Sequence, residues 1–255
     1  MSKKQSKPQG VSGPIRIDGD GVAWDCIRYP DDKAERERLI ARLFVEGCRR
    51  FVLSQSEPSL APFGEPRQNA ENDLDFTVAT AQGEKLMELV EFAPLKQHGP
   101  RFCDAPLSLE ASEKTALVVE RITEKAAHQG GPGRFLVMYA TEHSFRLDPS
   151  IIERVRRRLV KRPPAFDRVY YVAPHDLTEA MVFEIFPGTP HSFFTDKSDE
   201  ELEGMRSHFV HPTEWEVGQT ASFTTTLRIN GQSVPARIGY ELSFKPLERP
   251  LPLDR

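Results

Sequence analysis

Apolar and polar positions alternate along the chain with two periods, one helical and one extended. Leu39, Ile40, Leu43 and Phe44 recur at i, i+1, i+4 and i+5 behind Asp31 and Asp32. That spacing predicts a helix over 33–46 with an acidic cap at its start and Gly47 at its end. The run 50–54 reads as a strand. Past a loop rich in Pro, Ser and Gly, residues 73–79 and 85–93 read as two adjacent strands joined by a tight turn at Gly83. A helix over 112–128 turns Leu117 and Ile122 inward and stops at Gly130-Gly131-Pro132. Residues 135–140 form an unbroken apolar run, the mark of a central strand. Asp148-Pro149 gives an N-cap followed by Pro at the first helical position, opening a helix over 149–161. A further buried strand follows at 168–173. Two apolar strands linked by a helix of that length are expected to run parallel with a right-handed crossover.

Beyond Asp176 the pattern thins. Asp176-Leu177-Thr178-Glu179 has the form of a capping box and predicts a helix over 180–186. Ser198-Asp199-Glu200-Glu201 predicts a second, short and acidic one. Two alternating stretches flank Asn230-Gly231, the strongest short hairpin signal, and place a β-hairpin over 219–245. Pro235 puts its strand at an edge. The expected organisation is a basic disordered tail at 1–14, an α/β core at 15–190 built on a mixed sheet with helices on both faces, and a C-terminal extension at 191–255 that carries the hairpin.

Composition narrows the classes. The chain has 255 residues, 38% hydrophobic and 28% charged, with a net charge of −4. That suits a globular protein with a sizeable core, and it gives no global basic field to draw the surface to nucleic acid or membrane. The three cysteines, Cys26, Cys48 and Cys103, are far apart and odd in number, so neither a disulfide framework nor a metal knuckle is implied. A reducing, cytoplasmic setting is expected. No apolar run reaches membrane-spanning length, so no membrane contact is expected.

The candidate chemistry lies in the paired strands. One carries Asp73 and Asp75, the next Glu88 and Glu91. Side chains opposed across an antiparallel pair lie about 5 Å apart. Carboxylates that close repel unless a cation or protons intervene, which points to a divalent-metal site. The plainer alternative is an exposed hairpin whose acids face water. The two-residue period puts Glu88, Val90 and Phe92 on one face and Met87, Leu89 and Glu91 on the other, so only one glutamate can accompany Asp75.

The order helix, three strands, helix, strand, helix, strand over residues 33–173 resembles the core of the PD-(D/E)XK, restriction-endonuclease-like nuclease superfamily. In that family the second core strand carries an Asp and the next carries Glu-x-Lys. Asp75 and Glu88, 13 residues apart, suit that pattern. The resemblance implies a Mg²⁺-dependent phosphodiesterase with Asp75 and Glu88 as metal ligands. The chain departs from the pattern where the lysine belongs: two residues after Glu88 stands Val90, and two after Glu91 stands Ala93. Some members of the family move the lysine to the following helix, so the resemblance offers Lys114 there, or Lys85 at the strand's start, as the assisting cation.

A second feature is a run of cations. Arg154, Arg156, Arg157, Arg158, Lys161 and Arg162 stand against Glu153 alone at the end of the 149–161 helix. One or two cations there meet the helix dipole. Six also suit a stripe that contacts the phosphates of DNA or RNA, or a docking surface for a protein. Three readings therefore stand: a metal-dependent nuclease, an inactive nucleic-acid- or protein-binding module on the same scaffold, and an interaction protein pairing through its C-terminal hairpin.

Overall fold

The computed structural model describes residues 15–18, 21–24, 27–50, 52–53, 55–70, 74–95, 109–189, 194–204, 215–229 and 232–246. The expected tail at 1–14, Asp73 and the Asn230-Gly231 turn lie outside them. In chain order the elements are β1 (Ile15–Asp18), β2 (Gly21–Trp24), α1 (Lys33–Arg50), β3 (Val52–Leu53), β4 (Arg67–Gln68), β5 (Phe76–Thr80), β6 (Gly83–Glu91), α2 (Ala111–Gln129), β7 (Gly131–Tyr139), α3 (Pro149–Lys161), β8 (Phe166–Pro174), β9 (Ala180–Phe186), α4 (Asp199–Gly204), β10 (Trp215–Ile229) and β11 (Gln232–Pro246). Among the described residues no helix is long and apolar enough to cross a membrane.

The chain divides into two compact units, one holding residues 26–208 and the other residues 15–25 with 209–255. The second unit comprises two antiparallel hairpins, β1–β2 and β10–β11. The long one runs from Trp215↔Pro246 to Ile229↔Gln232, so the expected hairpin is present, and β1 and β2 form a second, short one.

The first unit is a mixed α/β domain on a seven-stranded sheet of order β3-β9-β8-β7-β6-β5-β4. The central strand β7 pairs in parallel with β6 and β8, as the strand–helix–strand pattern requires. Along β7 the side chains alternate between two cores. Phe135, Val137 and Tyr139 join α1 on one face, and Leu136 and Met138 join α2 and α3 on the other. On the α1 face, Phe44 packs against the rings of Phe63, Tyr170 and Phe135 at centroid distances of 5.0, 5.2 and 5.8 Å. A strand buried on both faces has to read as a continuous apolar run, which is why β7 is so plain in the sequence.

α3 starts as its sequence dictates, with Asp148 accepting the Ile151 N–H at 2.9 Å and Pro149 at the first turn. α4 opens with a reciprocal capping box between Ser198 and Glu201. Two expectations are corrected. Gly47 does not end α1, which continues to Arg50. It lies inside the helix, where a Cβ would come within 2.6 Å of Val182 and 2.9 Å of the Ala180 carbonyl, so its role is close approach to β9. Residues 180–186 are not a helix but strand β9, antiparallel to β8. The Asp176 carboxylate accepts the N–H groups of Thr178 and Glu179 in a turn. That turn closes a hairpin, and the β-branched and aromatic residues beyond it pair with β8.

Candidate functional site

Asp75 stands immediately before β5. The last ladder pair of β5 and β6 is Phe76↔Met87, so Asp75 falls opposite Glu88 one step further on. Where the β5 backbone stops pairing, the Asp75 side chain takes over: its Oδ2 accepts the Leu89 N–H at 2.8 Å. The edge of β6 is thereby capped and the carboxylate is held at the mouth of the β5–β6 pair.

Glu88 points to the α2 face and is 2% exposed. Its Oε1 accepts from Lys125 Nζ at 2.5 Å, and Lys125 also donates to Gln129 Oε1 at 2.9 Å. Its Oε2 is buried with no hydrogen-bond partner. Burial raises the Glu88 carboxyl above the usual carboxylate range, Lys125 draws it back down, and the Asp75 charge raises it again. On the other side of the sheet Glu37, buried in α1, is likewise raised by burial first and by Asp75 second. Asp75 therefore lies within electrostatic reach of one acid from each face.

The two lysines offered as assisting cations lie elsewhere. Lys85 forms an ion pair with Asp167 at 3.1 Å near the start of β8. Lys114 is buried, not solvated, and its Nζ donates to the carbonyls of Ser144 at 2.8 Å and Arg146 at 3.1 Å. Desolvation lowers its ammonium to about 8. The cation that meets Glu88 is Lys125, from the same following helix. The stripe Val118, Ile122, Lys125, Gln129 turns one face of α2 to the sheet, and a lysine where an apolar residue should recur was the signal for it. Glu91 faces the α1 side and bonds Thr141.

The basic run of α3 is split by the fold. Arg156 is buried, paired with Glu153 at 2.5 Å and donating to the Glu184 carbonyl. Arg154 is buried against Glu203, and Arg157 bridges Glu153, Asp199 and the Phe194 carbonyl. Only Arg158, Lys161 and Arg162 are exposed.

Among the described residues no three His, Cys, Asp or Glu side chains are grouped to hold a metal ion. No family model, no curated protein and no solved structure matches the chain.

Proposed function

We propose that the chain is a Mg²⁺-dependent phosphodiesterase acting on nucleic acid, on a restriction-endonuclease-like core, with Asp75 and Glu88 as the acids and Lys125 as the assisting cation. The observation that carries this reading is a single cluster. Asp75, just before β5, falls opposite Glu88 of β6 one step past the last ladder pair, the buried Glu88 has an oxygen without a partner, and a lysine from the next helix touches it. The donor set fits the ion, because Mg²⁺ is commonly held by one or two carboxylates and several waters. When bound, Mg²⁺ supplies polarisation of the phosphate and a more acidic water. The chain's own residues do the rest. The Leu89 N–H fixes Asp75, rigid β6 fixes Glu88, and Lys125 puts a positive charge beside the position of the attacked phosphate. In the metal-free protein the same lysine offsets the buried charge of Glu88.

The test is a thermal melt in rising Mg²⁺ or Mn²⁺, alongside cleavage of plasmid DNA and single-stranded RNA. The melting temperature should climb with metal concentration by mass action. Asp75→Asn should remove both the shift and the cleavage while leaving the metal-free fold intact, since an amide oxygen still accepts from Leu89. Lys125→Ala should lower turnover on the order of a hundredfold, the usual loss of one charge-stabilising group. A melting curve indifferent to both metals would leave Glu88–Lys125 as a buried ion pair and the chain as an inactive binding module.

A further inference from the structure

α2 and the end of α3 flank a groove of about 590 Å³. Its apolar lining is small: Val119, Ala126 and Pro164 are half-buried and form the floor, and Ala127, Pro163 and Ala165 are exposed along its sides. Its rim on the α3 side is Arg158, Lys161 and Arg162, the three cations that the fold leaves exposed. The inward half of that run is held by Glu153, Asp199 and Glu203, so the outward half stands as a separate positive edge along an apolar trough.

We propose that this groove is a docking site for a protein segment that seats small apolar side chains on the floor and sets Asp or Glu against the rim. Charge complementarity selects an acidic partner over a basic one. The lining selects protein over nucleic acid. It contains no aromatic ring, so it offers bases no stacking platform, and the apolar floor would remain uncovered beneath a phosphate backbone. The fit is that of an amphipathic helix laid in a groove. This site is independent of the Asp75–Glu88 cluster and stands or falls without it.

Fluorescence anisotropy with the full chain decides the matter. The probes are a labelled helical peptide of Leu, Ala and Glu, the same peptide with every Glu replaced by Lys, and a mixed-sequence single-stranded oligonucleotide. The acidic peptide should bind, and the lysine peptide should bind at least tenfold more weakly. Arg158→Glu with Arg162→Glu should weaken the acidic peptide at least tenfold. Ala127→Trp, which fills the groove from its side without removing a charge, should do the same, and Thr123→Trp is the second filling variant should the first misfold. No binding of the acidic peptide, equal binding of both peptides, or indifference to the filled groove would each overturn the proposal. So would displacement of the acidic peptide by the oligonucleotide with a loss that follows the charge reversal alone, because that is a phosphate ridge.

Discussion

Lys114 shows how far burial can decide a residue's character. It is 5% exposed in the first turn of α2, with two carbonyls as its hydrogen-bond partners and no carboxylate among them. Desolvation is the largest influence on it and lowers its ammonium from 10.5 to about 8, against a smaller upward pull from Asp148. The folded chain therefore sheds this proton before the unfolded chain does. Folding should gain from Lys114 as pH rises from about 8 toward 10, and that gain is lost as pH falls through 8. Comparing wild type with Lys114→Met by urea unfolding, the difference in stability should move in the wild type's favour by roughly 2 kcal/mol between pH 7 and pH 10. A difference that stays flat over that range would mean the ammonium is better solvated than its surroundings imply. At this scale the sequence was half legible. Asp75 and Glu88 stood out because short acids at period-two positions on paired strands must meet or part. Lys114, Lys85 and Lys125 are indistinguishable by residue type. Lys125 is marked in the sequence only by standing where the apolar stripe of α2 should recur, and its contact with Glu88 is set by how α2 packs on the sheet.

α3 makes the same point for a whole element. As sequence it is six cations in nine residues, an apparent polyanion stripe. As structure it is an amphipathic helix whose arginines divide by direction. Arg156 is buried between Glu153 and the Glu184 carbonyl, tying the helix to β9, and burial pulls its guanidinium below its ordinary value. Removing one member of a buried ion pair strands the other, at a cost of about 3–5 kcal/mol. Arg156→Met should destabilise by about that amount in urea, softened only by the hold of Arg157 on Glu153. Arg158→Gln and Arg162→Gln, at exposed positions, should each stay within about 0.5 kcal/mol of wild type. Equal effects at the inward and outward positions would dissolve the division. The start of α3 was legible because Asp148 and Pro149 act locally. The fate of its arginines was not, because Glu184 and Glu203 arrive from 28 and 49 residues away. The same reason hid β9: a capping box is a local signal, and the pairing with β8 that overrode it is not.

For the whole molecule, the two cores that flank the sheet draw their described members from between Ile27 and Phe186. The first unit thus carries its own hydrophobic interior, while the second consists of two-stranded hairpins, a form that is marginally stable in water by itself. The aromatic residues report on the two separately. Both tryptophans, Trp24 and Trp215, belong to the second unit, and four of the five tyrosines, Tyr29, Tyr139, Tyr170 and Tyr171, belong to the first. Tryptophan fluorescence should therefore change at lower urea than the near-ultraviolet dichroism of the buried tyrosines. A chain of residues 26–208 should keep the tyrosine transition within about 1 kcal/mol of its value in the full protein, because both described hydrophobic cores lie within it. It should also keep the Mg²⁺-induced shift proposed above, since Asp75, Glu88 and Lys125 all lie within it. Coincident transitions in the full chain, or a 26–208 fragment that fails to unfold cooperatively, would show that the hairpins are part of the folding unit and not an addition to it.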